Sequence, residues 1–262
     1  MIESITNNFS FKMESVKILN VIIDNISMVD ALISIEHFIK ESYKSHIVTI
    51  NPEFIMQAQT NENFRNVLNN ARLRLPDGIG IVLASKIIGK PIKERVTGVD
   101  TVYELARISA LNGWRIFLLG AAPGVAEKAA SELMKKYPTL QIAGTYAGSP
   151  HPDEEKEICD KINQTYSDIL LVAYGSPNQD LWIARNLDKL NIKIAMGVGG
   201  TFDFIAGVAK RAPQWIRKIG LEWFYRLMRE PYRWRRMLAL PKFALKIIFS
   251  RLVNKKRELQ FG

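Results

Sequence analysis

Short apolar runs alternate with helical patterns along most of the chain. Each run is continuous and is bounded by Gly, Asn or Pro, which is typical of strands buried on both faces of a parallel sheet. The four clearest runs cover residues 45–50, 114–120, 168–175 and 192–200. Helical patterns follow them, so the chain predicts βαβ units and an α/β fold with helices flanking a parallel sheet.

The residues before the first buried strand extend this pattern. The apolar segment 16–24 predicts an edge strand, and the pattern after it predicts a helix around 27–42. Residues 1–14 are polar and mixed in charge, which does not resemble a secretory signal. We expect a loose extension over 1–14 and an α/β body over 15–209.

Small and polar residues follow each predicted strand. In open parallel sheets, ligands bind outside the carboxyl ends of the strands, so these residues are expected to border one crevice. The alternative is that they are ordinary turn residues. The set is Thr49, Asn51, Gly120, Gly175, Ser176, Asn178, Gln179, Gly199, Gly200 and Thr201.

Charge divides the chain into two parts. The whole chain has a net charge of +10, yet residues 210–262 alone sum to +12 and the rest sums to −2. A near-neutral body therefore has a strongly basic C-terminal appendage over 210–262, which favours contact with polyanions such as nucleic acid, anionic lipid or a diphosphate.

The pattern of the appendage favours a membrane surface. It is rich in Trp, Tyr and Arg, and Arg226, Arg229, Arg233 and Arg236 form one helical stripe if Pro231 only kinks the helix. The later apolar run 237–253 is interrupted by cations and is too short and charged for a comfortable membrane span. It predicts amphipathic helices lying in the membrane interface.

Several kinds of chemistry have weak support. The turn from Gly120 to Gly124 follows a strand and opens a helix, but Ala122 stands where a dinucleotide-binding motif needs its second Gly. The three histidines are scattered, and Cys159 is the single cysteine, so there is no zinc pattern and no internal disulfide. No Asp-x-Asp sequence is present. We expect no metal and no cofactor.

Asp77 and Arg95 are candidate site residues with ordinary alternatives. Asp77 lies between Pro76 and Gly78, where a turn or helix-capping role is common. Arg95 would otherwise form a surface ion pair, which contributes little to stability.

Three spaced motifs in this region resemble those of the WecG/TagA/CpsF glycosyltransferases. They are T-x-N-P-E from Thr49, P-D-G-x-G from Pro76, and E-R-x-x-G-x-D from Glu94. Later segments agree in order: FLLGAAPGVAEKA, YAGSPHPDEE, LLVAYGSPNQDLWI and the run from GVGGTFDF to REPYRW. The resemblance covers residues 16–240.

The resemblance implies an inverting, metal-independent glycosyltransferase with a Rossmann-like body. Such enzymes transfer N-acetylmannosamine from its UDP donor to the 4-hydroxyl of N-acetylglucosamine on undecaprenyl diphosphate, a step in making the wall teichoic acid linkage unit. Related enzymes of common antigen or capsule synthesis use other sugars, so a different UDP-sugar is the first alternative. The implied location is the inner, cytoplasmic face of the cell membrane, on an anionic surface.

The resemblance also implies roles for particular residues. Asp77 would be the catalytic base, and Arg95 would assist the leaving group or bind the acceptor diphosphate. The appendage arginines would neutralise the leaving UDP. The implied substrate-binding residues, with Gly200 added from the crevice, are Thr49, Asn51, Gln179, Gly200, Asp203, Arg226, Arg233 and Arg236.

Two other classes of protein also have basic, aromatic tails. A nucleic-acid-binding protein would show steeply salt-dependent binding and would not need Asp77. A membrane adaptor without catalysis would tolerate Asp77→Asn. Neither explains the three spaced motifs, so we expect no nucleic-acid partner, and self-association is left open.

Overall fold

A six-stranded parallel sheet lies at the centre of the computed structural model, which describes residues 14–261 and the side chains up to residue 252. The strand order is β4-β3-β8-β7-β5-β6. The predicted α/β, Rossmann-like sheet is therefore confirmed. The strands of the chain are β1 (Ser15–Ile18), β2 (Val21–Asp24), β3 (Ser45–Ile50), β4 (Leu73–Pro76), β5 (Arg115–Gly120), β6 (Gln141–Tyr146), β7 (Ile169–Ala173) and β8 (Ile194–Gly197).

Helices cover both faces of the sheet. Alternate strand residues face opposite cores, as the two-residue period requires: Leu171 of β7 packs into one core, and its neighbours Leu170 and Val172 pack into another on the opposite face. The helices are α1 (Met28–Lys40), α2 (Pro52–Ala58), α3 (Glu62–Asn70), α4 (Ile79–Ile87), α5 (Gly98–Asn112), α6 (Val125–Lys136), α7 (Glu155–Asn163), α8 (Asn178–Asn186), α9 (Thr201–Ile205), α10 (Gln214–Lys218), α11 (Glu222–Arg229), α12 (Trp234–Met237) and α13 (Ala239–Phe261).

The N-terminal segment forms a hairpin of its own. β1 and β2 pair antiparallel as a separate two-stranded sheet, so the prediction of one edge strand over 16–24 was wrong. The reason is a tight turn at Leu19 and Asn20, whose φ angles are 45° and 68°. Buried Asp24 joins the hairpin to β4 by accepting hydrogen bonds from the Arg74 backbone N–H and Nη2, each 2.8 Å long.

The C-terminal segment packs back onto the body. Its last helix, α13, contacts α2 and α4, and Phe243 and Ile247 are buried in the same core as Ile81. The predicted single helical stripe of four arginines was wrong, because α11 ends at Arg229. Pro231, which has no N–H to donate, then begins a 3₁₀ turn before α12.

Two further predictions concern the ends and the membrane. Residues 1–13 of the expected N-terminal extension lie outside the described residues, and the division into a body over 15–209 and an appendage over 210–262 stays a prediction. Among the described helices, none has the length and apolar character needed to cross a bilayer.

Candidate functional site

A cavity of about 740 Å³ lies at the carboxyl ends of β3, β4, β7 and β8. Its other wall comes from the C-terminal segment, through residues of α11, α12 and α13. All ten predicted site residues line this one cavity, and their individual roles stay predictions. They are Thr49, Asn51, Asp77, Arg95, Gln179, Gly200, Asp203, Arg226, Arg233 and Arg236.

Two residues predicted to border the crevice do not line the cavity: Gly120 and Asn178. Gly120 lies outside the cavity because the strand order places β5 beyond β7 and away from the ends of β3 and β8. Its close neighbour is the backbone of Ala173, which a Cβ at position 120 would meet at 2.9 Å. The Gly120–Gly124 turn is therefore not part of this site.

Asp77 lies where β4 ends, held on both sides by backbone hydrogen bonds. Its own N–H donates to the Ile50 carbonyl at 2.8 Å, and its Oδ2 accepts from the Gly98 N–H at 3.3 Å. A Cβ added at Gly98 would lie 3.4 Å from Thr49 Cγ2 and 3.8 Å from Asp77 Oδ2, so these three residues are neighbours. The carboxylate is thus oriented by backbone rather than by a flexible partner.

Burial raises the pKa of Asp77 to about 6. The Gly98 N–H and the positive charge of Arg95 oppose this rise, while the carboxylates of Glu222 and Asp100 add to it. Protein atoms surround the Asp77 carboxyl, yet the residue keeps part of its surface open to the cavity. A carboxylate with a pKa just below neutrality suits general-base catalysis.

Asn51 and Gln179 use their side-chain oxygens to shape the cavity wall. Asn51 caps α2, its Oδ1 accepting from the Phe54 N–H at 3.0 Å. Gln179 is buried, and its Oε1 accepts from the Gly199 N–H at 2.8 Å. Both side chains therefore position the loops that follow β3 and β8.

Arg226 is a largely buried arginine of the C-terminal wall. Its guanidinium lies over the Phe204 ring, 4.8 Å from the centroid, and burial lowers its pKa. Its buried Nε makes no hydrogen bond within the part of the chain that the structure describes. That Nε lies 3.5 Å from Oε1 of Glu230 in an ion pair, so the charge of Arg226 is partly balanced within the C-terminal wall. The residue also lines the cavity, where a cation favours an anionic ligand.

Asp203 lies close to the same guanidinium. Burial raises the pKa of Asp203, and the positive charges of Arg226 and Arg233 oppose that rise. The site therefore combines a carboxylate that can accept hydrogen bonds from hydroxyl groups with arginines that can bind phosphate.

Gly200 makes room for this arrangement, which leads to a testable prediction. A Cβ at position 200 would lie 2.8 Å from Arg226 Nη2 and 3.3 Å from Asp203 Oδ2. We expect Gly200→Ala to fold normally, because the end of a long side chain can shift, but to lower kcat/KM for the sugar donor that the resemblance implies by about 10-fold, or roughly 1.4 kcal/mol. Steady-state kinetics at varied donor concentration would measure this, with the melting temperature as the control. An unchanged kcat/KM would show that the Arg226 position is unimportant.

Arg233 and Arg236 are held by two glutamates. Arg233 pairs with Glu230 of the same segment. Arg236 forms a two-pronged ion pair with Glu53, with Nε–Oε1 at 2.7 Å and Nη2–Oε2 at 3.0 Å. Glu53 is the last residue of the T-x-N-P-E motif, so this motif contacts the C-terminal wall directly.

Arg95 links the body to the start of the C-terminal segment. Its Nη2 donates to the Arg217 carbonyl at 2.9 Å. Beside it, Arg211 forms a two-pronged pair with Asp100 at 2.6 and 2.9 Å and also contacts Glu222 at 3.2 Å. These contacts hold the C-terminal wall against the third motif.

Sequence reasoning missed several lining residues. Glu53 was identified only as part of the T-x-N-P-E motif, with no predicted role. Phe204, Arg211 and Glu222 lie in no local sequence pattern that indicates a binding residue. Among the described residues, no group of three or more His, Cys, Asp or Glu side chains could hold a metal ion.

Residues 16–257 match the family described as Glycosyl transferase WecG/TagA/CpsF family. The chain belongs to this family. Its three spaced motifs lie at the ends of β3 and β4 and at the start of α5, all of which border the cavity. Membership makes the chain a glycosyltransferase, as predicted.

Curated relatives agree with the family assignment. The chain is 36% identical over 211 residues to the N-acetylglucosaminyldiphosphoundecaprenol N-acetyl-beta-D-mannosaminyltransferase of Bacillus spizizenii, covering 80% of this chain and 81% of that one. Identity to the protein of the same name from Bacillus subtilis is 34% over 213 residues, covering 81% and 82%. For the Staphylococcus aureus protein of that name it is 32% over 243 residues, covering 92% and 95%.

Proposed function

We propose that the chain transfers N-acetylmannosamine from UDP-N-acetylmannosamine to the 4-hydroxyl of N-acetylglucosamine on undecaprenyl diphosphate. This reaction makes the linkage unit of wall teichoic acid. One observation carries the proposal: a partly buried carboxylate with a raised pKa shares a cavity with five arginines, in a chain of this family. The names of the relatives support the choice of sugar and acceptor.

Asp77 is the proposed general base. The acceptor hydroxyl attacks the anomeric carbon of the donor on the face opposite the leaving UDP, so the configuration inverts. Asp77 removes the hydroxyl proton during this attack. Because its pKa is about 6, the carboxylate is mostly ionised at pH 7 and still basic enough to accept a proton.

The arginines of the C-terminal wall stabilise the leaving group. Negative charge develops on the β-phosphate of UDP as the bond to the sugar breaks, and a guanidinium binds phosphate oxygens by two charge-assisted hydrogen bonds. Arg226 lines the cavity beside Gly200 and Asp203, and its guanidinium binds this phosphate. Arg233 and Arg236 lie on the same wall, where they bind the same phosphate or that of the acceptor.

Thr49, Asp203 and Gln179 complete the donor site in this proposal. Asp203 accepts hydrogen bonds from sugar or ribose hydroxyls. Gln179 keeps the loop after β8 in place through Gly199. Thr49 adjoins Asp77 and bounds the space in which the acceptor hydroxyl approaches.

Transfer is proposed to need no metal ion, because arginines supply the positive charge that a divalent ion would otherwise provide. We expect activity within a factor of about two of the untreated enzyme after treatment with EDTA, since no charge at the diphosphate would be removed. Transfer rates with EDTA, with EDTA plus excess Mg²⁺, and without either would test this. A loss of activity that Mg²⁺ restores would show that the diphosphate requires a metal.

The proposed location is the inner face of the cell membrane, where the lipid-linked acceptor lies. Of the 22 exposed large hydrophobic side chains in the described part, 13 belong to residues 215–252. Exposed apolar groups mixed with arginines and lysines are typical of surfaces that bind an anionic bilayer.

A direct assay tests the proposal. The whole chain is incubated with a lipid-diphosphate-linked N-acetylglucosamine and with UDP-N-acetylmannosamine or UDP-N-acetylglucosamine as donor. We expect a disaccharide product with the first donor and at least about 100-fold less with the second, because the axial 2-acetamido group distinguishes the two sugars. Transfer of only the second sugar would overturn the choice of donor.

A further inference from the structure

The cavity has a second, apolar half that the proposed chemistry does not use. It lies between α4 and α13, which are in contact. Each helix contributes apolar residues spaced three and four apart, so one face of each helix borders the space. This groove is lined by Leu83, Ala84, Ile87, Leu240, Phe243, Ala244 and Ile247.

The groove has a buried floor and an open rim. Phe243 and Ile247 are 4% and 2% exposed, whereas Leu83 and Ile87 at the rim are 51% and 45% exposed. Large apolar side chains left in contact with water beside a cavity mark a surface that binds an apolar partner.

The groove continues directly into the charged half of the cavity. Trp223, Leu227 and Met237 also line the cavity, and they belong to the same short helices as Arg226 and Arg236. A ligand that fills the whole cavity therefore needs an anionic group at one end and an apolar chain at the other.

The far side of the groove adjoins an exposed apolar surface. Leu245, Ile248, Phe249 and Leu252 of α13 are all at least half exposed and do not line the cavity. A chain leaving the groove would therefore pass to an apolar surface suited to a bilayer rather than into water.

We propose that the groove between α4 and α13 binds the first isoprene units of the acceptor's polyprenyl chain. The acceptor diphosphate then lies toward the arginines, and the sugar hydroxyl lies toward Asp77. This inference rests on the proposed function and adds to it a defined site for the lipid. Recognition of the lipid would raise the local concentration of acceptor and also fix its depth in the cavity.

Filling the groove tests this site. Ala244→Trp adds bulk to the face of α13 that lines the groove, and Ala244 is exposed, so the larger side chain does not overpack the core. Leu111→Trp is the control, since it introduces the same side chain at an exposed position of α5 that lies outside the cavity. Two acceptors are compared, N-acetylglucosamine diphosphate carrying a farnesyl group and the same compound carrying a methyl group.

We expect Ala244→Trp to raise KM for the farnesyl acceptor at least about 10-fold, because the isoprene units lose their site, while KM for the methyl acceptor stays unchanged. Leu111→Trp should change neither value. An equal rise for both acceptors, or no rise for either, would overturn the inference.

Photocrosslinking separates this inference from the proposed function, because it needs no donor sugar. A farnesyl diphosphate bearing a diazirine at the end of its chain is bound to the wild-type chain, irradiated and mapped by mass spectrometry. Labels on Leu83, Ile87 or Ala244 support the groove, even if no N-acetylmannosamine is transferred in the assay above. Labels confined to residues away from both the groove and the adjoining surface of α13, such as Leu111 of α5, would overturn it even if transfer proceeds.

Discussion

Asp77→Asn is expected to lower kcat by about 100-fold or more while making the protein more stable at neutral pH. The loss follows from removing the group that accepts the hydroxyl proton. Asn keeps an oxygen for the Gly98 N–H, so the local backbone is retained. The rate of sugar transfer under saturating substrates would measure the effect, with exposed Asp188→Asn as the control.

The gain in stability follows from the pKa of Asp77. Burial raises this pKa from 3.8 to about 6 in the folded state, so ionisation at pH 7 opposes folding by an amount on the order of 1–3 kcal/mol. This loss of folding free energy is absent below the unfolded pKa. It grows as the pH rises from 3.8 toward about 6 and reaches its full size above that value. An uncharged Asn avoids it.

Thermal unfolding at pH 5 and pH 8 would check the sign of this effect. The melting temperature of Asp77→Asn should exceed that of the wild type more at pH 8 than at pH 5. The wild-type kcat/KM should also fall about 10-fold per pH unit below about 6, as the base becomes protonated. Full activity of Asp77→Asn would show that Asp77 is not the base in the transfer reaction.

Arg226→Gln is the second variant with a large expected effect, a loss of about 10²–10³-fold in kcat. Gln can donate a hydrogen bond but carries no charge for the leaving diphosphate. Because Arg226 is enclosed by Phe204 and by the residues after β8, other arginines do not readily take its place. Single-turnover transfer rates would isolate the chemical step from product release.

Arg229→Gln is the matched control, since Arg229 lies on the same helix but is exposed and does not line the cavity. It should retain nearly full activity in the presence of soluble acceptor. If both variants lost activity equally, the effect would come from the total charge of the C-terminal segment rather than from one guanidinium in the site.

The central strands and the polar half of the site could both be predicted from sequence, because both depend on where the apolar runs of the chain end. Strands buried on both faces form continuous apolar runs, as in β3 and β7, and the residues that follow such strands meet at one edge of the sheet. Asn51 and Gln179 were found in this way. The motifs of the family then added Asp77 and the arginines.

Edge strands and distant contacts could not be predicted. β4 has four residues and ends in Pro76, and β6 contains Gly144 and mixed polar residues, so neither forms an apolar run. The apolar half of the cavity depends on Leu83 lying near Phe243, which no local pattern indicates. Likewise, the contact of Glu53 with Arg236 joins two segments with unrelated patterns.

The pairing of β3 with β8 has a consequence for synthesis of the chain. The register places Ser45 opposite Ile194 and Ile47 opposite Met196. A nascent chain therefore exposes one edge of β3 until β8 has left the ribosome, and contacts between residues so distant in sequence form slowly. An unpaired apolar strand promotes aggregation. Fragments that end before residue 194 should accumulate as insoluble protein, and ribosomal pausing within β8 should favour chaperone binding to β3.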